Sequence, residues 1–211
     1  MAQIFIDTQN IDNLSKAMKK FPDIAAKSIP AAINRTLSTA NTRMQKEITI
    51  KYKIKKSDLS GGSKYKSEKS NNLIRVKKAT AKDAQGRIDV RGSTLTLGRF
   101  LQGNRSPISH KGKTMTQIKR IRFPKVQVKR GSTKQVGGSF VAVAKNATGL
   151  FARDENGKLR MLHTLSVAQM AGNKEVLETT QQSAMEDLEK RIEHELDYRL
   201  NKLAGDANGR S

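Results

Sequence analysis

The chain has 211 residues, and its 41 Lys and Arg outnumber its 19 Asp and Glu, which gives a formal net charge of +22. It contains no Cys, which excludes disulfides and thiolate metal sites and fits a reducing compartment. No run approaches the roughly 18 apolar residues of a membrane span, and the first residues do not resemble a secretory signal. We therefore expect a single domain, residues 1–211, without membrane segments.

The chain is predicted to begin with a short strand and a helix. Ile4 and Ile6 alternate with polar neighbours, which predicts a strand at 2–6. A helix is predicted next, ending before Pro22, because apolar residues recur at spacings of three and four. These residues are Ile11, Leu14, Met18 and Phe21.

A second, longer helix is predicted over residues 22–48, where apolar residues again recur every three or four positions. Pro30 lies inside this span and predicts a kink or a break near Ser28–Ile29. From Ile48 onward the apolar residues alternate with Thr and Lys, which predicts extended chain. Residues 56–72 are rich in Ser, Gly and Lys, so we expect a flexible basic loop there.

The middle of the chain has the pattern of antiparallel β structure. Alternating apolar and polar residues predict a series of strands, with a loop at 101–115. Pro124 indicates an edge strand or a bulge, and Gly137-Gly138 and Asn156-Gly157 predict turns, the second of them a hairpin. The predicted strands are residues 73–80, 87–91, 94–97, 119–130, 139–145 and 149–153.

The last predicted element is a long helix over 174–203, capped by Asn173, ended by Gly205 and followed by a short disordered tail at 206–211. Such an amphipathic helix suits either a coiled-coil seam or docking on a sheet, and we favour docking. We expect its apolar stripe to be buried. The stripe consists of Leu177, Met185, Leu188, Ile192, Leu196, Leu200 and Leu203.

These elements predict an α+β fold in which a mainly antiparallel sheet is packed by a long helix of the N-terminal half and a long C-terminal helix. Apolar content of 36% and the absence of Trp indicate a modest core for this length. Contacts between subunits would complete such a core.

Charge is distributed unevenly along the chain. Residues 90–153, called here the acid-free segment, contain no Asp or Glu and carry fourteen Lys and Arg. Residues 1–173 have a net charge of +25 and residues 174–211 a net charge of −3. Because like charges repel, the acid-free segment is expected to face either DNA phosphates or the acidic C-terminal helix of a neighbouring subunit.

The basic residues of the acid-free segment are the candidates for non-specific contact with DNA. The main candidates are Lys111, Lys113, Lys119, Arg120, Arg122, Lys125, Lys129 and Arg130, and Arg99, Arg105 and Lys134 are further candidates.

Strand geometry ranks these candidates, because successive side chains leave opposite faces of a strand. Ile121 and Phe123 would bring Lys119 onto an inward face, whereas Arg120 and Arg122 would point outward. We therefore expect the strongest contacts from Arg120 and Arg122, together with the loop residues Lys111 and Lys113.

The sequence contains no catalytic or metal-ligating constellation. His110, His163 and His194 stand apart from one another and from any ligand motif. The acidic pairs Glu186/Asp187 and Glu193/Glu195 alternate with basic residues, as on a solvated helix face. We predict a protein that is not an enzyme and that needs no cofactor or metal.

Several short stretches recur, in the same order, in one known family. They span about residues 34–200, and the loop at 56–72 departs from the family pattern. They are Asn34-Arg35-Thr36-Leu37-Ser-Thr-Ala-Asn-Thr-Arg43, residues 87–100, Val126-Gln-Val-Lys-Arg-Gly131, Gly138-Ser-Phe-Val-Ala142, Gly149-Leu-Phe-Ala-Arg153 and Leu165-Ser-Val-Ala-Gln-Met170. On these stretches the chain resembles the prophage minor tail protein Z family of phage tail completion proteins.

The resemblance implies a structural component of a tailed-phage virion, acting at or near the head-proximal end of the tail. Related proteins form rings around the DNA path, so the implied partners are further copies of the chain, other tail or neck proteins, and DNA in the lumen. The implied location is the virion tail, and the host cytoplasm during assembly. A head-to-tail ring suits a tube better than an isologous dimer does.

Two other functions remain open at this point. One is a free nucleic-acid-binding protein without sequence specificity, although a recognition-helix motif is absent and aromatic residues make up only 4% of the chain. The other is a transient tail assembly factor that leaves the finished virion.

Overall fold

The computed structural model describes residues 2–6, 22–59, 74–103, 124–144 and 147–208. The helix predicted from Ile11 to Phe21 lies outside these residues, as do positions 60–73 and 104–123. In chain order the elements are β1 (Ala2–Ile6), α1 (Pro22–Lys51), α2 (Lys56–Leu59), β2 (Ile74–Lys77), β3 (Gly86–Val90), β4 (Thr94–Thr96), a 3-10 helix (Leu97–Phe100), β5 (Lys125–Val126), β6 (Lys134–Gln135), β7 (Ser139–Ala144), β8 (Ala147–Arg153), β9 (Leu159–Met161), β10 (His163–Ser166), α3 (Val167–Ala171) and α4 (Lys174–Asn208).

A kink or a break was predicted near Ser28–Ile29. The helix α1 runs without a break through Pro30, so the break is wrong, and the kink stays a prediction. A proline inside a helix removes one backbone hydrogen bond and costs about 3 kcal/mol. Burial outweighs that cost here, because Pro30 itself and residues on both sides of it, including Ile29 and Ile33, lie in the core.

The extended chain predicted from Ile48 is also wrong for its first residues, since α1 continues to Lys51. Ile48 and Tyr52 are buried, whereas Ile50 is 54% exposed. A strand would have placed Ile48 and Ile50 on one face, but the buried pair is spaced by four, as on a helix. The predicted loop at 56–72 begins with the short helix α2, whose Leu59 is fully buried.

The long helix α4 packs antiparallel against α1, and the predicted docking on a sheet is corrected to docking mainly on a helix. Lys51 at the end of α1 contacts Glu175 at the start of α4, and Arg35 contacts Glu195 further along. The buried positions of α4 recur at spacings of four and three, which places them on one face. They are Val176, Thr180, Ala184, Leu188, Ile192 and Glu195.

The predicted apolar stripe of α4 is confirmed only in part. Leu188 and Ile192 are buried, Leu196 and Leu200 are half-buried, and Leu203 is 54% exposed. Leu177 and Met185 are also half-buried. The helix extends past Gly205 to Asn208, so the predicted end at Gly205 is wrong, and residues 209–211 lie outside the described chain.

Glu195 corrects the prediction that the acidic pairs of α4 form a solvated face. Glu193 is exposed as expected, but Glu195 is only 4% exposed. Arg35 pairs with one carboxylate oxygen of Glu195, and Arg199 Nε lies 3.8 Å from the other. The two arginines compensate the buried charge at the junction of the two long helices.

A three-stranded antiparallel sheet in the order β1-β3-β2 covers part of this helix pair. Ile4 of β1 and Val76 of β2 are both paired with Ile88 of β3, and Ile4 and Ile88 are buried. β3 contacts α1, whereas β1 contacts α3 and α4. The predicted strand at 2–6 is confirmed with the same bounds.

The other strands form three small antiparallel sheets, β4 with β10, β5 with β6, and β7-β8-β9. The hairpin between β8 and β9 confirms the Asn156-Gly157 prediction, and Gly157 has a φ of 74° that favours glycine. Gly138, with a φ of 65°, confirms the turn before β7. The α+β class is confirmed, and the strands in the described part of the chain are divided among four sheets.

Replacing Gly86 with Ala is expected to destabilise the fold by about 1–3 kcal/mol through overpacking. A Cβ at this position would lie 2.5 Å from Leu37 Cδ1 and 2.8 Å from Ile33 Cγ2, and both side chains are fully buried. Gly205→Ala is the control, since nothing lies within 4 Å of its added Cβ and Ala favours a helix. Chemical denaturation measures both, and equal stability of the two variants would contradict the packing argument.

Candidate nucleic-acid interface of the acid-free segment

Residues 125–130 of the acid-free segment are held by backbone hydrogen bonds on two sides. Gln102 N donates to Lys125 O and Gln127 N donates to Phe100 O, both at 2.9 Å. Lys53 N donates to Val128 O at 2.9 Å, and Tyr52 forms a bridge with Lys129. Residues 125–130 therefore have a fixed backbone. Of the strand predicted at 119–130, residues 124–130 are described, and Lys125–Val126 of these form β5.

Alternation along this stretch separates its cations from the core. Val126 is buried and Val128 half-buried, whereas Lys125 and Lys129 are exposed. Lys125 and Lys129 therefore share the outward face, as expected for positions an even number apart on a strand. Arg130 is exposed as well, and its Nε donates to Thr49 O at 2.7 Å, which anchors the guanidinium beside the end of α1.

One cation near this surface has an acidic partner, and others do not. Arg99 Nη1 lies 3.7 Å from Asp58 Oδ1, so that charge is partly compensated. Lys125, Lys129, Arg130 and Lys134 form no ion pair with any acidic residue in the described ranges. Together with Arg99, this group of four is the described part of the predicted cationic surface.

Lys53 joins this surface although it lies outside the acid-free segment, and the sequence prediction missed it. Its Nζ donates to Gln102 Oε1 at 2.7 Å, and Gln102 Nε2 donates to Gln127 Oε1 at 3.4 Å. The alternation of Lys51, Lys53 and Lys55 was the available signal. It did not show which of the three would lie beside residues 125–130.

Glu175 at the start of α4 is an acidic group that interacts with this surface. Lys51 Nζ contacts its carboxylate and also donates to Asn173 Oδ1 at 2.7 Å. The hydrogen bond and the charge of Lys51 lower the pKa of Glu175 below its ordinary value of 4.5, and the charge of Lys129 adds to this shift. One carboxylate thus interacts with two lysines, and among the described residues Lys125, Arg130 and Lys134 form no ion pair with an acidic group.

A groove of about 590 Å³ lies behind the cationic face. Val126, Val128 and Val136 from the β5–β6 region line it together with Leu97 and Leu165. Lys129 and Lys134 also border this groove. Its walls are therefore mainly apolar, with two cations among them.

Several DNA candidates, including the four expected to make the strongest contacts, lie outside the described residues. They are Arg105, Lys111, Lys113, Lys119, Arg120 and Arg122. Ile121 and Phe123, which were predicted to point inward, also lie outside the described residues. Their predicted role in DNA contact therefore stays a prediction. Of the main candidates, the structure describes Lys125, Lys129 and Arg130, and all three are exposed.

The described chain shows no competing metal or membrane site. Among its described ranges, no group of three or more His, Cys, Asp or Glu could hold a metal ion. His163 is exposed with Nδ1 3.0 Å from Met161 O, His194 is exposed on α4, and His110 lies outside the described ranges. No helix within the described residues is long and apolar enough to cross a membrane.

Comparison with known proteins gives one match. The family model described as prophage minor tail protein Z (GPZ) matches residues 7–204. Neither a curated protein nor a solved structure matches the chain. The family match thus covers nearly the whole chain, including all of the candidate surface.

Proposed function

We propose that this chain, which belongs to the prophage minor tail protein Z family, forms an oligomeric ring near the head-proximal end of the tail and turns its cationic surface toward the DNA path. Membership of the family makes it a phage minor tail protein with a structural role in the virion tail. Its partners therefore include other tail proteins. The ring, its position and the contact with DNA are the proposed part.

The observation that carries the proposal is the uncompensated charge on a fixed backbone. Lys125 and Arg130 are exposed, belong to a stretch without Asp or Glu, and are held by backbone hydrogen bonds on two sides. Charges in such a position are stable beside a polyanion, because phosphates neutralise them and release counterions. DNA in the lumen of a tail ring would be that polyanion, bound without reading its sequence.

The proposed main phosphate contacts are Lys111, Lys113, Arg120 and Arg122. The proposed additional contacts are Lys119, Lys125, Lys129 and Arg130. A free nucleic-acid-binding protein or a transient assembly factor would use the same cations. Subunit-specific labelling of purified virions, viewed by electron microscopy, separates these functions from a resident ring. Label that is absent from finished tails would refute the ring.

Changing Lys111, Lys113, Arg120 and Arg122 together to Gln is expected to weaken binding to any duplex DNA. The slope of log affinity against log salt should become shallower by up to about 3.6, since each phosphate contact contributes about 0.9. Fluorescence anisotropy with two unrelated duplexes over a salt series measures this slope. The wild-type protein should bind both duplexes equally.

A matched control removes four exposed cations from other surfaces, by changing Arg43, Lys46, Lys82 and Lys158 to Gln. It lowers the net charge by the same amount and should change the slope much less. Sedimentation should show intact oligomers for both variants. An equal loss of slope in the two variants would mean that net charge, and not this segment, attracts DNA.

A further inference from the structure

The C-terminal half of α4 carries an outward stripe that no other described element covers fully. Its members are spaced by four, three, four and three, which places them on one helix face. Glu189, Glu193 and Leu203 are exposed. Leu196 and Leu200 are half-buried, and Leu196 packs in part against the core of its own subunit. We call this face the docking stripe, and it consists of Glu189, Glu193, Leu196, Leu200 and Leu203.

The composition of the groove between β5–β6 and β10 is complementary to that of the docking stripe. Val126, Val128 and Leu165 give it apolar walls, and Lys129 and Lys134 give it positive charge. Leucines of a helix suit the apolar walls, and glutamates on the same helix face suit the two lysines. This is the pattern by which a groove takes an amphipathic helix.

Within one subunit, the groove lies beside the start of α4, whereas the docking stripe lies toward its other end. Lys129, at the groove, pairs with Tyr52, and the adjacent Lys51 contacts Glu175 in the first turn of α4. Glu189 lies fourteen residues further along the helix, or about 21 Å at 1.5 Å per residue. Each subunit therefore presents the docking stripe at one place and the groove at another.

We propose that the docking stripe of one copy occupies the groove of the next copy, with Leu196, Leu200 and Leu203 against its apolar walls and Glu189 and Glu193 beside Lys129 and Lys134. This contact is heterologous, so it repeats from subunit to subunit as a ring requires. It rests on the proposed ring, and it names the surfaces that hold the ring together. Lys129 would then be shared between the subunit contact and the DNA surface.

A second copy fits the groove better than DNA does. Phosphates would satisfy Lys129 and Lys134 but would leave the apolar walls of Val126, Val128 and Leu165 without a partner. The docking stripe would provide glutamates for the two lysines and leucines for the apolar walls. It also covers Leu203, a large apolar side chain that is 54% exposed in the single subunit.

The test is a charge exchange between two variants of the full chain. Variant one carries Glu189→Lys and Glu193→Lys, and variant two carries Lys129→Glu and Lys134→Glu. All four positions are exposed, so both variants should fold, as circular dichroism and thermal melts will confirm. Each variant alone places like charges across the contact, and we expect self-association at least about tenfold weaker than wild type.

An equal mixture of the two variants is expected to assemble. The basic stripe of variant one meets the acidic groove of variant two, and the acidic stripe of variant two meets the basic groove of variant one. Arg43→Glu with Lys46→Glu, two exposed cations on α1, is the control and should assemble like wild type. Analytical ultracentrifugation measures all of these species.

The possible failures point to different conclusions. Wild-type protein that stays monomeric at all concentrations would overturn the ring and the contact together. Wild-type oligomers that persist in both reversed variants, or reversed variants that fail to assemble when mixed, would overturn the contact alone. Normal self-association of variant two with loss of tail assembly would assign the groove to another tail protein.

Cross-linking provides a second readout, because the chain has no Cys of its own. Leu203→Cys and Val136→Cys, placed in separate copies, are expected to form a covalent dimer under mild oxidation. Leu203→Cys with Val76→Cys is the control, since Val76 is exposed on β2, which belongs to a different sheet from the strands that line the groove. Equal cross-linking of both pairs would contradict the docking.

Discussion

Replacing Ile192 with Ala is expected to lower the free energy of unfolding by about 2–5 kcal/mol. Ile192 is 2% exposed and lies on the face of α4 that packs against α1. Truncation removes buried methyl groups and leaves a cavity between two helices whose backbones cannot close it fully. Urea denaturation at low protein concentration gives the value without a contribution from self-association.

The same substitution at Ile50 is the matched control. Ile50 also lies on a long helix, but 54% of its surface is exposed, so Ile50→Ala should change stability by about 0.5 kcal/mol or less. A further variant, Ile192→Asp, would place a charge without a partner at the helix interface and should prevent folding. A soluble, folded Ile192→Asp protein would show that the two helices do not bury this face.

Replacing Glu195 with Ala is expected to destabilise the fold by about 2–3 kcal/mol. Breaking a buried ion pair costs about 3–5 kcal/mol, but solvent lowers this value because the Arg35 side chain is 62% exposed. Arg199 is 33% exposed, so its guanidinium depends more strongly on Glu195. Denaturation of the variant, compared with that of wild type, measures the loss.

Asp197 provides the control for this prediction, because it is an exposed acidic residue two positions further along the same helix. Asp197→Ala should change stability by about 0.5 kcal/mol or less. The double variant Arg35→Ala with Glu195→Ala should lose less than the sum of the single losses, since the pair interacts. Simple additivity would show that the ion pair contributes nothing.

Glu193 and Glu195 show why the sequence could not predict the whole charge pattern of α4. Both are acidic, both are close to basic residues, and both belong to a helix that the apolar spacing predicts correctly. Which of them is buried depends on the angle at which α4 lies against α1. That angle follows from side chains that are far apart in the chain, such as Arg35 and Glu195.

The candidate surface likewise has features that the sequence displays and features that only the tertiary structure shows. The alternation of Val126 and Val128 with the exposed Lys125 and Lys129 is a local pattern that the sequence displays. The approach of Lys53 to this surface depends on backbone bonds between residues 53 and 128, which no local pattern encodes. The groove likewise forms only where β5–β6 meets β10.

The sequence alone determined several features, because each depends on residues that are close together in the chain. They are the strand at 2–6, the two long helices, the Asn156-Gly157 hairpin, the α+β class and the basic acid-free segment. Periodicity, turn chemistry and charge are properties of neighbouring residues, so a sequence displays them directly. Only the tertiary structure decided that α1 continues through Pro30, that α4 docks on a helix, and that Glu195 is buried. The physical reason is that burial between distant segments can outweigh a local preference worth a few kcal/mol.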